Sequence, residues 1–129
     1  MYPNTYYAAT RREPSDHPPF AGAARARVVV VGGGYAGLAT ALGLAERGVH
    51  DVVLLESAAI GFGASGRNGG FVFAGYSLDE EALLQQLGGS EARWMYELTR
   101  QAVRSIRARI DRYSIDCDPV DAGVIWANW

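Results

Sequence analysis

The sequence predicts an α/β fold that begins with a helix joining two parallel strands. Residues 28–31 are four consecutive valines, too few for a membrane span but typical of a central parallel strand covered on both faces. Residues 35–47 show helical periodicity, Gly48 follows where a helix ends, and residues 52–55 form a second apolar run. This order predicts a βαβ unit with an incomplete parallel sheet. The expected apolar face of the helix comprises Leu38, Ala41, Leu42 and Ala45.

Three glycines lie between the first strand and the helix in a Gly-x-Gly-x-x-Gly pattern. Gly32 allows a sharp turn, and Gly34 allows the backbone to approach a pyrophosphate. Gly37 falls in the first helical turn, where the missing side chain allows the helix to pack closely on the strand. The helix N-terminus then points its amides and dipole at the phosphates. The pattern predicts a Rossmann-type adenine dinucleotide site, with Gly33 as its variable position.

Glu56 ends the second strand, roughly 20 residues after the glycine turn. A carboxylate there can accept hydrogen bonds from the adenine ribose hydroxyls and would repel a 2′-phosphate, so NADP is not expected. FAD and NAD share the ADP half that this unit binds. The βαβ unit therefore leaves the choice between the two cofactors open.

A second glycine-rich loop, residues 61–70, follows the second strand. A flexible linker is one interpretation, but linkers use serine as filler and this loop encloses Phe62, Arg67 and Asn68. Ala64 and Ser65 offer backbone amides and a hydroxyl. Arg67 could balance pyrophosphate charge or stabilise a reduced, anionic flavin. We therefore favour a loop that wraps a bulky ligand.

The run from Gly63 to Gly70 resembles FAD-dependent amine and amino-acid oxidoreductases of the D-amino-acid oxidase and glycine oxidase superfamily, most closely its gamma-glutamylputrescine oxidase group. The Tyr6-Tyr7 start and residues 115–118 resemble that group too. The resemblance implies that FAD lies with its ADP half on one set of residues and its pyrophosphate or flavin near another. The first set is Gly32, Gly34, Gly37 and Glu56, and the second is Ala64, Ser65, Arg67 and Asn68.

The same resemblance implies oxidation of a carbon–nitrogen bond in a small amine or amino acid. Hydride passes to the flavin, water hydrolyses the imine, and oxygen reoxidises the flavin. Cys117, the single cysteine, is expected as a small buried side chain in a strand beyond the nucleotide unit, so noncovalent FAD is expected. The alternatives are an NAD-dependent dehydrogenase and a non-catalytic dinucleotide-binding fragment. No catalytic residue is identified.

We expect four segments: an extended N-terminal arm (1–24), the FAD-binding Rossmann unit with the second glycine loop (25–75), a helical segment (76–113) and the start of a substrate domain (114–129). The helical segment contains one helix capped by Ser77 and ending near Leu87, and a second helix from about Ser90 with an apolar stripe. Residues 115–117 and 123–127 are expected to form a β-hairpin. The predicted stripe comprises Met95, Leu98, Ala102, Ile106 and Ile110.

Because members of this superfamily run to several hundred residues, we expect an N-terminal fragment that is inactive alone and associates through the open edge of its first strand. Asp116, Asp118 and Asp121 are interpreted as turn residues, and no metal site is predicted.

The net charge of −2 gives no electrostatic reason to expect nucleic acid or anionic lipid as a partner. All twelve basic residues are arginine, and one cysteine excludes an internal disulfide. The sequence has no apolar run of membrane-spanning length and no signal-peptide core. A cytoplasmic enzyme acting on a small molecule is expected. No particular number of subunits is predicted.

Overall fold

The computed structural model describes residues 4–12 and 17–125. The chain divides into two compact units, residues 1–69 and residues 70–129. The predicted segment boundaries after residues 24, 75 and 113 stay predictions. The first unit contains α1 (Tyr6–Thr10), β1 (Val28–Val31), α2 (Tyr35–Glu46), β2 (Val52–Leu55) and a 3-10 turn (Ala64–Gly66), and the second contains α3 (Glu80–Leu87) and α4 (Gly89–Arg112).

The predicted βαβ unit is present. β1 and β2 are parallel, and their register pairs Val28 with Val52 and Val31 with Leu55. The Gly32 amide donates to the Leu55 carbonyl over 2.7 Å, which continues the pairing beyond β1 into the glycine turn. Gly48, at φ +80°, follows α2 as predicted. The α/β fold class with an incomplete parallel sheet is therefore confirmed.

β1 is less covered than a central strand. The sheet has two strands in the described part of the chain, and the Val31 side chain is 82% exposed. Burial in α2 also differs from the prediction, since Leu38 and Ala45 are exposed while Gly43 is the buried residue of the helix. The expected apolar face was wrong at these two positions because the described sheet is too narrow to cover the whole helix face.

The N-terminal arm is not extended throughout. Residues 6–10 form α1, and the Thr5 hydroxyl accepts a hydrogen bond from the Ala8 amide over 3.2 Å. This side-chain cap explains how so short a helix begins. Residues 1–3 and 13–16 of the arm, which include two of the prolines, lie outside the described residues.

The second unit confirms two helices and corrects their details. Asp79, not Ser77, caps α3, accepting from the Ala82 amide over 2.8 Å. Gly88, at φ +80°, separates α3 from α4 as predicted. Within the described residues the buried apolar side chains are Leu83 and Ala92, one from each helix. In the predicted stripe Met95 and Ile110 are half-buried, whereas the exposed members are Leu98, Ala102 and Ile106.

The expected β-hairpin is absent from residues 115–125, which form no strand. The chain leaves α4 through Ser114 at φ +49°, and positive φ angles recur at Asp118 and Gly123. Such residues interrupt an extended backbone, and a two-stranded hairpin is marginally stable without further strands. Cys117 is consequently exposed, not buried in a strand. Residues 126–127, the rest of the second predicted strand, lie outside the described residues.

Candidate functional site

The first glycine loop joins β1 to α2 and depends on two glycines for its geometry. Gly32 has φ +102°, a conformation that side chains disfavour. A Cβ on Gly37 would come far closer to the Gly32 carbonyl oxygen than the 3.0 Å that real Cβ atoms keep. The absence of a side chain at residue 37 therefore allows α2 to begin directly against the turn.

Gly34 is the N-cap of α2 and faces the second glycine loop. A Cβ on Gly34 would lie 2.9 Å from the Ser65 hydroxyl oxygen. That hydroxyl accepts a hydrogen bond from the Tyr35 amide over 3.0 Å. The amides of the first helical turn have no carbonyl partner within a helix, so this end of α2 has the polarity that a pyrophosphate requires. The residues present fit the phosphate half of an adenine dinucleotide.

Glu56 lies at the end of β2 and binds the first glycine loop through its carboxylate. One oxygen accepts from the Gly33 amide over 2.6 Å, and the other accepts from the Ala58 amide over 3.0 Å. These two bonds lower the pKa of Glu56 most; desolvation opposes them, and the Ser57 hydroxyl lowers the pKa by less than either bond. Glu56 is therefore ionised at neutral pH and fixes the turn that precedes α2.

Gly33 has a structural role that sequence reasoning missed. A Cβ there would lie 2.6 Å from the Ile60 Cδ1 atom and 3.2 Å from the Glu56 Cβ atom. Glu56 was the sequence signal for this role. A carboxylate at the end of β2 can reach the glycine turn, where a backbone amide must donate a hydrogen bond to it. The position treated as variable is thus crowded by two side chains.

The second glycine loop repeats the spacing of the first, a feature that the sequence contained and the prediction overlooked. Gly61, Gly63 and Gly66 also form Gly-x-Gly-x-x-Gly. Gly61 has φ +72°, and a Cβ on Gly66 would clash with the Gly61 carbonyl oxygen. Gly63 caps the 3-10 turn at φ −76°, as Gly34 caps α2 at φ −86°. The first and third glycines therefore have the same roles in both loops, whereas a Cβ on Gly63, unlike one on Gly34, would meet nothing within 4 Å.

Backbone and side-chain hydrogen bonds join the two loops. The Gly61 amide donates to the Gly33 carbonyl over 2.9 Å. The Asn68 side-chain amide donates to the Tyr35 hydroxyl over 2.7 Å. Together with the bond from the Tyr35 amide to Ser65, these contacts bring the predicted residues Gly34, Ser65 and Asn68 to one place. Tyr35 was not predicted to belong to this group.

Arg67 folds back on its own loop. Its Nε atom donates to the Phe62 carbonyl over 2.9 Å, and its guanidinium carbon lies 4.9 Å from the centre of the Phe62 ring. The cation is thereby held beside the second glycine loop by a hydrogen bond and a cation–π contact. Its predicted approach to a pyrophosphate or a flavin stays a prediction.

Other candidate features do not form a site. Within residues 4–12 and 17–125, no three His, Cys, Asp or Glu side chains are grouped so that they could hold a metal ion. Asp121 instead forms an ion pair with Arg107 over 3.1 Å. None of the helices described is long and apolar enough to cross a membrane.

Comparison with known proteins gives a family match and several relatives. The family described as FAD dependent oxidoreductase matches residues 27–129. A gamma-glutamylputrescine oxidoreductase from Escherichia coli (strain K12) is 43% identical over 124 residues, which cover 96% of this chain and 29% of that protein. A Haemophilus influenzae protein named "Probable oxidoreductase OrdL" is 38% identical over 114 residues, covering 88% of this chain and 26% of the relative. A Rhizobium meliloti protein of the same name is 33% identical over 114 residues, with the same coverage.

The chain spans less than a third of the length of these curated relatives. No solved structure gives a significant match.

Proposed function

The chain belongs to the family of FAD-dependent oxidoreductases, and on that premise we propose that it takes part in oxidising the carbon–nitrogen bond of an amine or amino acid. The family membership favours FAD over the NAD alternative that the βαβ unit left open. Similarity to a gamma-glutamylputrescine oxidoreductase over 96% of the chain supports an amine substrate. Oxygen as the final acceptor and a cytoplasmic location are further parts of the proposal.

The two glycine loops would hold the cofactor between them. Gly32, Gly34 and Gly37 would bring the first-turn amides of α2 to the pyrophosphate. Glu56 would accept hydrogen bonds from the adenine ribose with the lone pairs that Gly33 and Ala58 do not use, since each carboxylate oxygen has two. The second loop would contribute Ala64, Ser65, Arg67 and Asn68.

The observation that carries the proposal is the meeting of Gly34 and Ser65 at the N-terminus of α2. The hydroxyl of Ser65 lies 3.0 Å from the Tyr35 amide, and a Cβ at residue 34 would be 2.9 Å from that hydroxyl. Two predicted contact residues, 31 positions apart in the chain, therefore share one small polar space. A linker with no ligand role gives no reason for this placement.

Bound FAD supplies the hydride acceptor for amine oxidation. The chain's own residues would bind and orient the cofactor, and Arg67 would stabilise negative charge near it. Noncovalent attachment of FAD is also part of the proposal, because the single cysteine, Cys117, follows the nucleotide-binding unit in the sequence. Residues that bind the amine or move its proton are not assigned.

The proposal is tested by loading the protein with FAD and mixing it anaerobically with gamma-glutamylputrescine, glycine or sarcosine. Loss of the visible flavin absorbance with one of these amines, followed by its return when oxygen is admitted, is the expected result for a protein that contains this chain and spans the full length of its relatives. The 129-residue chain alone should bind FAD, and the amines should leave that FAD oxidised. This result would separate cofactor binding from catalysis. Flavin reduction by NADH but by no amine would overturn the proposed reaction.

A further inference from the structure

Tyr35 contacts the second glycine loop with both its backbone and its side chain. Its amide donates to the Ser65 hydroxyl over 3.0 Å, and its own hydroxyl accepts from the Asn68 side-chain amide over 2.7 Å. Tyr35 is 63% exposed. Core packing therefore does not account for a tyrosine at this position, whereas its hydroxyl makes a defined contact.

Asn68 is held in one orientation by the backbone of its own loop. Its Nδ2 atom donates to the Ser65 carbonyl over 2.7 Å and lies 3.4 Å from the Ala64 carbonyl. A backbone carbonyl only accepts hydrogen bonds, so the nitrogen of the side-chain amide must face it. The same nitrogen then donates to Tyr35. Both amide hydrogens of Asn68 are therefore engaged within the two loops.

We propose that Tyr35 and Asn68 are positioning residues that hold Ser65 at the N-terminus of α2 before the cofactor arrives. We call this pair the Tyr35–Asn68 latch. It joins the first residue of α2 to the second residue after the 3-10 turn of the second loop. The inference rests on the proposed function, because the latch would raise FAD affinity by keeping the two-loop site closed in advance.

The latch gives Asn68 an indirect role. A hydrogen bond donated by Asn68 to FAD would require at least one of its amide hydrogens to leave Tyr35 or Ser65, and those bonds are 2.7 Å long. In the latch, Asn68 acts through Ser65 and Tyr35. The two roles differ in one measurable respect: a direct contact does not depend on the Tyr35 hydroxyl.

The test compares Tyr35→Phe, Asn68→Ala and the double variant with the unchanged chain. Tyr6→Phe is the matched control, because Tyr6 is an exposed tyrosine in α1 of the same unit. FAD affinity is measured by flavin fluorescence titration. Amide hydrogen exchange of peptides covering residues 61–68 is measured in the cofactor-free protein, so that the loop is observed independently of FAD.

We expect Tyr35→Phe, which removes one hydrogen bond, to raise the FAD Kd by roughly three- to tenfold. Asn68→Ala also removes the bond to the Ser65 carbonyl and should raise the Kd at least as much. Both variants should speed exchange across residues 61–68. The double variant should be no weaker than the worse single variant, because both remove the same bond. Tyr6→Phe should match the unchanged chain in both measurements.

Other outcomes separate the two hypotheses. An unchanged chain that binds no FAD would overturn the proposed function and the cofactor role of the latch with it. An unchanged chain that binds FAD, combined with normal binding and normal exchange in Tyr35→Phe, would overturn the latch alone. Additive losses in the double variant would also overturn it, since they would show that Asn68 contacts FAD independently of Tyr35.

Discussion

The two glycine loops share a backbone design but lead into different structures. Each begins with a glycine of positive φ, Gly32 at +102° and Gly61 at +72°. In each, a glycine five residues later lies so close to the carbonyl of the first that a Cβ could not fit. The first loop continues into the 12 residues of α2, whereas the second continues into a 3-10 turn of three residues.

This difference divides the chemistry between the loops. A helix of three turns aligns its peptide dipoles, and the amides of its first turn have no carbonyl partner within the helix, so the first loop can attract an anion with backbone alone. A three-residue turn has little aligned dipole, so the second loop must act through side chains. Ser65, Arg67 and Asn68 follow Gly63 in that loop and are polar, whereas residues 35–38 of the first loop include a tyrosine and no charged residue. The same glycine spacing therefore supports two kinds of binding surface.

The largest expected effect comes from Gly37→Ala. The added methyl group would meet the Gly32 carbonyl oxygen, a backbone atom that cannot move without shifting β1 from α2. Overpacking of this kind costs about 1–3 kcal/mol and more when backbone must move. We expect loss of cooperative thermal unfolding and of FAD binding, measured by circular dichroism and fluorescence titration.

Gly66→Ala makes the same change in the second loop. Its methyl group would meet the Gly61 carbonyl oxygen, so we expect FAD affinity to fall while the thermal midpoint falls less than in Gly37→Ala. Gly63→Ala is the matched control, because a Cβ there meets nothing within 4 Å. Equal destabilisation by Gly63→Ala and Gly66→Ala would contradict the shared design of the loops.

Another prediction concerns FAD binding in the space between the two glycine loops. Gly34→Val should abolish FAD binding, because the side chain would displace the Ser65 hydroxyl and occupy the space needed by the pyrophosphate. A double variant that combines Gly34→Val with Ser65→Gly removes the clash with the serine side chain but leaves valine at the helix N-terminus. We expect the combined variant to remain unable to bind FAD in equilibrium dialysis. Recovery of FAD binding would show that the valine at residue 34 blocks FAD only by displacing Ser65.

The fold of the first unit could be predicted because its signals are local. A valine run, a glycine motif and a helix stop each depend on residues adjacent in sequence, and β1, α2 and β2 were found where expected. The hairpin at residues 115–127 could not be predicted reliably, because a strand exists only if a partner strand pairs with it. The capping of α1 by Thr5 was overlooked, and the prolines nearby suggested an extended arm.

A smaller effect is expected from Glu56→Gln. The amide oxygen can replace one carboxylate oxygen, but the amide nitrogen would face a backbone N–H, either that of Gly33 or that of Ala58. FAD binding should weaken less than in Gly34→Val, because residue 56 keeps one of its two hydrogen bonds to backbone amides. A loss larger than that of Gly34→Val, measured by the same dialysis, would contradict this ranking.

The contribution of Glu56 to the stability of the fold should depend on pH, because the pKa of its carboxyl group is lowered. A carboxyl group whose pKa is depressed in the folded chain stabilises it fully above the ordinary glutamate pKa, and that stabilisation is lost as pH falls through the lower, folded value. The thermal midpoint of the unchanged chain should therefore decline over this acidic range more than that of Glu56→Gln. Parallel curves for the two proteins would contradict the hydrogen-bonding role of the carboxylate.

The smallest effect is expected from Arg67, which is exposed and contacts its own loop. Arg67→Ala removes the bond to the Phe62 carbonyl and the cation–π contact, each worth about 1 kcal/mol or less at an exposed site. FAD affinity should fall several-fold with the fold intact. Arg67→Lys should recover part of the affinity, because a point charge lacks the planar fork. Full recovery by lysine would show that only the charge matters.

The sequence identified residues that the structure brings together, but not how they are arranged. Gly34 and Ser65 were both identified from sequence, yet their meeting depends on how β2 returns the chain to the first loop. Tyr35 occupies an unspecified position of the glycine motif, so the motif gave no reason to select it. The repeated spacing at Gly61, Gly63 and Gly66 was visible in the sequence and indicates the second loop directly.

The central claim is that the two glycine loops together bind FAD, and it is tested most directly by titrating the chain with FAD and with NAD in the same calorimeter. Both cofactors carry the ADP half, but NAD has no flavin that could contact the second loop. The account predicts a single FAD per chain, bound more tightly than NAD, with that preference lost in Gly66→Ala. Equal affinity for the two cofactors, or an FAD preference unchanged by Gly66→Ala, would contradict it.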